Sequence, residues 1–162
     1  MQLEIVLKFV ILLAVANGAP LVAKKLFGDV LAYPLDGGRT LADGQPLLGS
    51  SKTIRGVLVG VVAAALAALL LGFAWTTGLL VGAAAMAGDL FSSFLKRRMG
   101  QPPSSRAFGL DHIPESLIPA LASMHDLDLT LADVVLIVAV FTLGGQALSI
   151  LLFKIRLRDH PY

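Results

Sequence analysis

The chain has 162 residues, of which 56% are hydrophobic and 15% charged, with three histidines and no cysteine. Soluble domains carry about 25% charged residues, so this composition, with a mean hydropathy of +0.81, indicates an integral membrane protein of one domain, too short for a separate soluble catalytic module. Disulfides, thiolate metal sites and a cysteine nucleophile are excluded, and the scattered His112, His125 and His160 argue against histidine-based metal or triad chemistry.

The first expected span covers residues 3–23. Ala14-Val15-Ala16 resembles a signal-peptide cleavage site, but no basic stretch precedes it and Lys24-Lys25 anchor its far end, so the segment reads as retained. Its last turn carries Asn17-Gly18-Ala19-Pro20. Asn17 either bonds a neighbouring helix or faces a site.

Residues 26–52 form a loop with Asp36-Gly37-Gly38-Arg39, Asp43-Gly44 and Gly49-Ser50-Ser51-Lys52-Thr53. Glycines permit tight turns and close approach of backbone N–H groups to a ligand. Ser50 or Ser51 is a suitable N-cap for a helix opening at Lys52 to Ile54, whose positive end, with Lys52 and Arg55 beside it, makes an anion site of the phosphate-binding type. An alternative is a capped helix with ordinary basic anchors. Gly49 is followed by two serines, which rules out a Walker A loop.

From Gly56 to Gly88 no residue is charged. A single helix of that length would run about 50 Å, against a bilayer core of about 30 Å, so it must be two spans, placed at 54–72 and 75–95 with Trp75 at the interface. Gly56, Gly60 and Ala64 on the second span, and Gly78, Gly82 and Ala85 on the third, make small-residue faces that allow close helix approach. The third-span face leads to Asp89, which is therefore expected to point into the bundle. In the stretch Gly88-Asp-Leu-Phe-Ser-Ser-Phe-Leu-Lys-Arg-Arg98, helical spacing sets Asp89, Ser92, Ser93 and Lys96 on one face. That stripe is either a functional site or a solvated helix end with cations at the headgroups.

A loop with Pro102 and Pro103 leads to Asp111, at the same expected depth as Asp89. Two carboxylates beside cations suit a hard divalent metal that carries phosphate substrates. His112 reads as a hydrogen-bonding interface residue, and His125 and His160 as surface residues. The fourth span, 112–125, is short and interrupted by Pro114 and Pro119, so a bent or partly protein-lined crossing is expected. The fifth is 132–153.

All lysines and arginines except Lys8 fall in three clusters, at 24–55, at 96–106 and after Phe153. Placing these in the cytoplasm gives five spans with the N-terminus outside and Glu4, Asp126, Asp128 and Asp133 on the outer face. Lys8 is expected to pair with Glu4 one turn away.

GSSKTIRG resembles the Ser-x-Lys-Thr-x-x-Gly segment of phosphatidate cytidylyltransferases, and GDLFSSFLKRR followed by GLD resembles their C-terminal signature. The short length, five spans, ANGAP and the DGG loop resemble the smaller branch, the CDP-archaeol synthases. Departures are Gln101-Pro102 where the long branch has Lys-Asp, His112 where it has Arg, and Pro114-Glu115 where short-branch members often carry an acid at the first of these positions.

The resemblance implies an all-α integral membrane protein of five transmembrane helices, with cytoplasmic loops forming the active site, in the plasma membrane. It implies CTP-dependent conversion of a lipid phosphate, archaetidic-acid-like or phosphatidic acid, to a CDP-activated lipid plus pyrophosphate, with Mg²⁺. Asp89 and Asp111 would hold the metal. Lys52 and Lys96 would join them as catalytic residues, and Ser50, Ser51, Lys52, Thr53, Arg55, Asp36, Ser93, Lys96 and Arg97 would bind nucleotide or phosphate. Partners are CTP, the lipid phosphate and membrane lipids, with no nucleic acid; a homodimer is one compatible assembly. The alternative is a small transporter or channel for an anionic solute or ion, but internal repeats and mid-membrane polar groups, its usual marks, are missing from the sequence.

Overall fold

Five helices carry the expected apolar segments: α1 (Leu3–Phe27), α2 (Ile54–Leu70), α3 (Trp75–Arg98), α4 (His112–Ala122) and α5 (Leu131–Lys154). The computed structural model describes residues 2–103, 105, 107 and 109–154, with side chains as far as Ala147. Arg106, His160 and the basic residues after Lys154 lie outside the described residues.

The order of elements matches the sequence expectation and the ends differ by a few residues. α1 runs on through Lys24 and Lys25, and α3 through Lys96, Arg97 and Arg98. In both cases cations sit in the last turn, where they favour the negative end of the helix dipole. α4 stops at Ala122, which gives it a rise of only about 16 Å.

α2 begins at Ile54, the last of the expected openings, and its cap is Thr53 rather than Ser50 or Ser51. The Thr53 hydroxyl accepts the N–H of Gly56 at 3.1 Å. The cause lies in the preceding backbone: Leu35 N–H donates to Lys52 carbonyl and Ile54 N–H to Tyr33 carbonyl, bridging Pro34 with Thr53. That pairing holds Thr53 extended, so the first helical turn cannot form before it.

α3 is the central element and packs on α1, α2 and α4. Its small residues set the spacing. A Cβ at Gly78 would stand 2.5 Å from the Ala64 carbonyl, and one at Gly82 would stand 2.9 Å from Ala64 and Val61. At Gly88 the added carbon would strike the Pro114 carbonyl and lie 2.8 Å from Glu115 N. The core is completed by Val6, Phe9, Leu12 and Leu13 from α1 and Ile137 from α5, all fully buried.

The outward faces are apolar too: Leu7 and Ile11 on α1 and Leu58, Val62, Leu66 and Leu69 on α2 are exposed. Two helices, α1 and α3, are long and apolar enough to cross a bilayer, while α2 and the apolar part of α5 are shorter. An exposed apolar belt around a packed small-residue core is the surface of a membrane protein.

At the end of the bundle remote from Lys52, Thr130 and Asp133 form a reciprocal cap on α5. Asp133 accepts the Thr130 hydroxyl at 2.6 Å and the Thr130 N–H at 3.1 Å, and the Gln2 N–H donates to its other oxygen at 2.9 Å. Asp133 is thus fully buried. Lys8 pairs with Glu4 at 2.7 Å, as the sequence spacing requires.

Candidate functional site

The loop joining α1 to α2 is built around Asp36. One carboxylate oxygen accepts the N–H groups of Leu48 and Gly49 at 2.9 and 3.1 Å, and the other accepts Gly38 N–H at 2.9 Å. Burial pushes the carboxyl up, but these backbone donors outweigh it and hold its pKa below the usual carboxylate range. Gly49 then turns with φ +96°, a conformation that side chains disfavour, and delivers Ser50, Ser51, Lys52 and Thr53 to the head of α2.

The three cations ending α3 grip both loops. Arg98 donates to Asp43 at 2.5 Å and to the carbonyl of Pro46 at 2.6 Å. Arg97 is only 2% exposed, lies against Gly49 and reaches the Ser105 hydroxyl at 3.4 Å. Lys96 pairs with Asp111 at 2.6 Å and donates to the Ser105 carbonyl at 2.8 Å. Asp111 also accepts the N–H of Ala107 at 3.0 Å. The segment before α4 is therefore tied down by a lysine and an acid that the sequence had set at phosphate and metal.

Within this frame a cavity of about 840 Å³ opens between α1, α2, α3, α4 and α5. Its polar end is lined by Asn17, Ser50, Ser51, Lys52, Thr53, Arg55, Asp89, His112 and Glu115, and its apolar end by Val10, Ala14, Met86, Val140 and Phe141. A second, shallow groove of about 430 Å³ along α1 and α2 is lined by Val15, Ala19, Val22, Leu26, Phe27 and Val59 and shares Ala14 and Gly18 with the cavity wall.

Inside the cavity Lys52 donates to both oxygens of Asp89, at 2.5 and 2.6 Å, with both side chains about one-fifth exposed. The carboxyl of Glu115 lies against Asp89 and within electrostatic reach of Lys52 and Asp111. Arg55 donates to the carbonyls of Val30 and Gly28, closing the turn that follows α1. Asn17 turns its amide nitrogen onto the Leu13 carbonyl at 3.0 Å. Ser92 bonds back to the Asp89 carbonyl at 2.9 Å, and Ser93 is buried.

Of the residues named from sequence, Ser50, Ser51, Lys52, Thr53, Arg55 and Asp89 line the cavity, whereas Asp36, Ser93, Lys96, Arg97 and Asp111 stand behind its wall. Glu115 is the residue that sequence reasoning missed as a site acid. Its signal was available: it falls one turn after Asp111, in a helix that starts at the depth of Asp89. Among the described residues no three acids or histidines converge in a cage that would hold a metal. Magnesium needs no such cage, because it is commonly held by one or two carboxylates plus substrate phosphates. Asp89 and Glu115 offer hard oxygen donors side by side, and the Lys52 ammonium already stands on Asp89 as a cation. The residues fit a divalent ion.

A family described as CarS-like, CDP-archaeol synthase, matches residues 2–162. The chain belongs to the CDP-archaeol synthase family. It is accordingly an enzyme, a nucleotidyltransferase that uses CTP. The CDP-archaeol synthase of Pyrobaculum calidifontis is 34% identical over 91% of this chain and 91% of its own length. That of Methanosphaerula palustris is 30% identical over 86% of this chain and 95% of its own. A solved structure described as an intramembrane enzyme for archaeal membrane lipids biosynthesis superposes with a TM-score of 0.75 at 32% identity, covering 88% of this chain and 91% of that one. The chain shares with that structure an all-helical fold, and its exposed apolar helix faces are those of a membrane protein.

Proposed function

We propose that the cavity transfers the cytidylyl group of CTP to an archaeal lipid phosphate, giving a CDP-activated ether lipid and pyrophosphate. The observation that carries this is the single cavity whose one end holds Ser50, Ser51, Lys52, Arg55, Asp89 and Glu115 and whose other end is apolar. A lipid phosphate and a nucleoside triphosphate need that pairing of surfaces.

A lipid phosphate oxygen attacks the α-phosphorus, and the bond from that phosphorus to the β-phosphate oxygen breaks. A phosphate monoester has its second pKa near 6, so the attacking oxygen is largely ionised at pH 7 and no strong base is needed. The protein's task is to position the reactants and neutralise charge. Lys52 faces the phosphates beside the positive end of α2, with Ser50, Ser51 and Thr53 as hydrogen-bond donors. Asp89 and Glu115 would hold Mg²⁺ inside the cavity, and Asp111 would join them only on leaving Lys96. Mg²⁺ bound there would supply charge withdrawal from the α-phosphoryl group and the leaving pyrophosphate. Asp36, Arg97 and Arg98 hold the nucleotide loop in shape, and Lys96 holds the approach to α4. The apolar groove that borders the cavity at Ala14 and Gly18 would take the lipid chains.

The basic clusters orient the chain with five spans, the N-terminus outside and the site at the cytoplasmic face of the cell membrane. The test is purified protein with labelled CTP, Mg²⁺ and a panel of lipid phosphates with ether or ester chains. CDP-lipid formation from the ether substrate is expected. Absence of nucleotide-dependent product from every lipid phosphate would refute the proposal, and equal turnover of phosphatidic acid would remove the ether preference.

A further inference from the structure

The proposed metal acids do not wait open in this structure. Lys52 spans both oxygens of Asp89 at 2.5 and 2.6 Å, and Lys96 lies 2.6 Å from Asp111. The two pairs differ in setting. Lys96 is also held by the Ser105 carbonyl and stands behind the cavity wall, whereas Lys52 and Asp89 both line the cavity. Lys52 sits at the start of α2, where the free N–H groups of the first turn favour anions.

Consider each ligand alone. A divalent ion approaching Asp89 must displace the Lys52 ammonium, which then has no anion in a partly buried position. A triphosphate approaching Lys52 must draw it off Asp89, whose carboxylate is then left against Glu115 and opposite more negative charge. Each ligand alone breaks an ion pair and leaves one buried charge uncompensated. When both arrive, the metal takes Asp89 and the phosphates take Lys52, and every charge is paired.

We propose that Lys52 is a placeholder cation, and that the site accepts CTP as its divalent-metal complex because a metal–phosphate unit is what exchanges with the Lys52–Asp89 pair. This rests on the metal and phosphate roles assigned above to Asp89 and Lys52. The consequence is reciprocal coupling. Nucleotide tightens metal, and metal tightens nucleotide by the same factor.

Lys52→Gln then has an effect opposite to that of losing a simple phosphate contact: it strengthens the binding of metal alone. The test uses the full chain in detergent with Mn²⁺ as the probe, its free concentration read by electron paramagnetic resonance, with and without α,β-methylene CTP. For the wild type, the analogue is expected to tighten Mn²⁺ on the order of 10- to 100-fold. In Lys52→Gln, Mn²⁺ alone binds several-fold tighter than in the wild type, and the coupling falls to within about threefold. Lys52→Arg keeps a cation on Asp89, so its binding of Mn²⁺ alone stays as weak as in the wild type. That variant, with the melting temperatures of all three, separates the effect from misfolding.

Unchanged or weaker Mn²⁺ binding in Lys52→Gln, with nucleotide affinity lost, would overturn the exchange and leave Lys52 a phosphate contact only. Asp89→Asn serves as the separate check on the underlying assignment. If it binds Mn²⁺ like the wild type, the metal assignment of Asp89 fails, whatever Lys52 does.

Discussion

Replacing Asp36 by alanine tests whether the nucleotide loop is held from behind. Three backbone donors, Gly38, Leu48 and Gly49, lose their acceptor at a site where the side chain is only 7% exposed. At about 1 kcal/mol each, the low end for a buried donor left unpaired because water can reach a surface loop, the loss is about 3 kcal/mol. If CTP binding must restore the loop, that cost falls on the nucleotide. At 1.4 kcal/mol per tenfold, the KM for CTP rises on the order of 100-fold, while kcat at saturating CTP stays within a few-fold. Steady-state kinetics with lipid saturating and CTP varied give the split, and hydrogen exchange of Leu48 and Gly49 amides without nucleotide shows whether the loop has loosened. A raised KM with undiminished amide protection would refute the reasoning, because Asp36 would then be touching CTP itself.

The same carboxylate gives a pH signature. Its folded pKa lies below its unfolded value of about 3.9, so its contribution is fully present above that value and is lost as the pH falls through the lower, folded one. Wild type should therefore melt above Asp36→Ala at neutral pH, with the gap closing only below about pH 4. Asp89→Asn and Asp111→Asn should each abolish cytidylyl transfer while preserving membrane insertion, and near-normal turnover of either in excess Mg²⁺ would remove that acid from the metal site. Single cysteines at Gln101 and Asp128 should label from opposite sides of the membrane; labelling from one side would mean that α4 does not cross. Gly88→Ala should push α4 away from α3 at the Pro114 carbonyl, costing about 1–3 kcal/mol and displacing Glu115; unchanged thermal stability and activity would show that the contact gives way freely.

The helices were legible because each is an uncharged or weakly charged run bounded by cations, glycine or proline, and the small-residue faces announced which surfaces would meet. Asp89 was legible for the same reason, since it continues the Gly78–Gly82–Ala85 face into the bundle. What sequence could not give was the partner of each charge. Arg98 meets Asp43 and Pro46 across more than fifty positions of chain, and no local spacing encodes that. The cap at Thr53 depends on pairing with Tyr33 and Leu35, so the serines favoured by local preference lost to a contact formed some twenty residues away. Glu115 enters the site because Gly88 lets the Pro114 backbone come close, which is a packing event and not a motif.

The grip of Lys96, Arg97 and Arg98 on both loops has a consequence for biogenesis. Asp36 and Asp43 leave the ribosome about sixty residues before Arg98, which at 5–20 residues per second is roughly 3–12 s. During that interval the loop has its internal Asp36 turns and its bonds to the head of α2, but not the anchors from Arg97 and Arg98. The segment before α4 emerges later still. On the proposed orientation, the cations that favour the cytoplasmic side are also the ones that fasten the loops, so the cavity can close only after the third helix has crossed. A third helix that failed to cross would leave those anchors on the other side of the membrane, and the loop would have nothing to fold against.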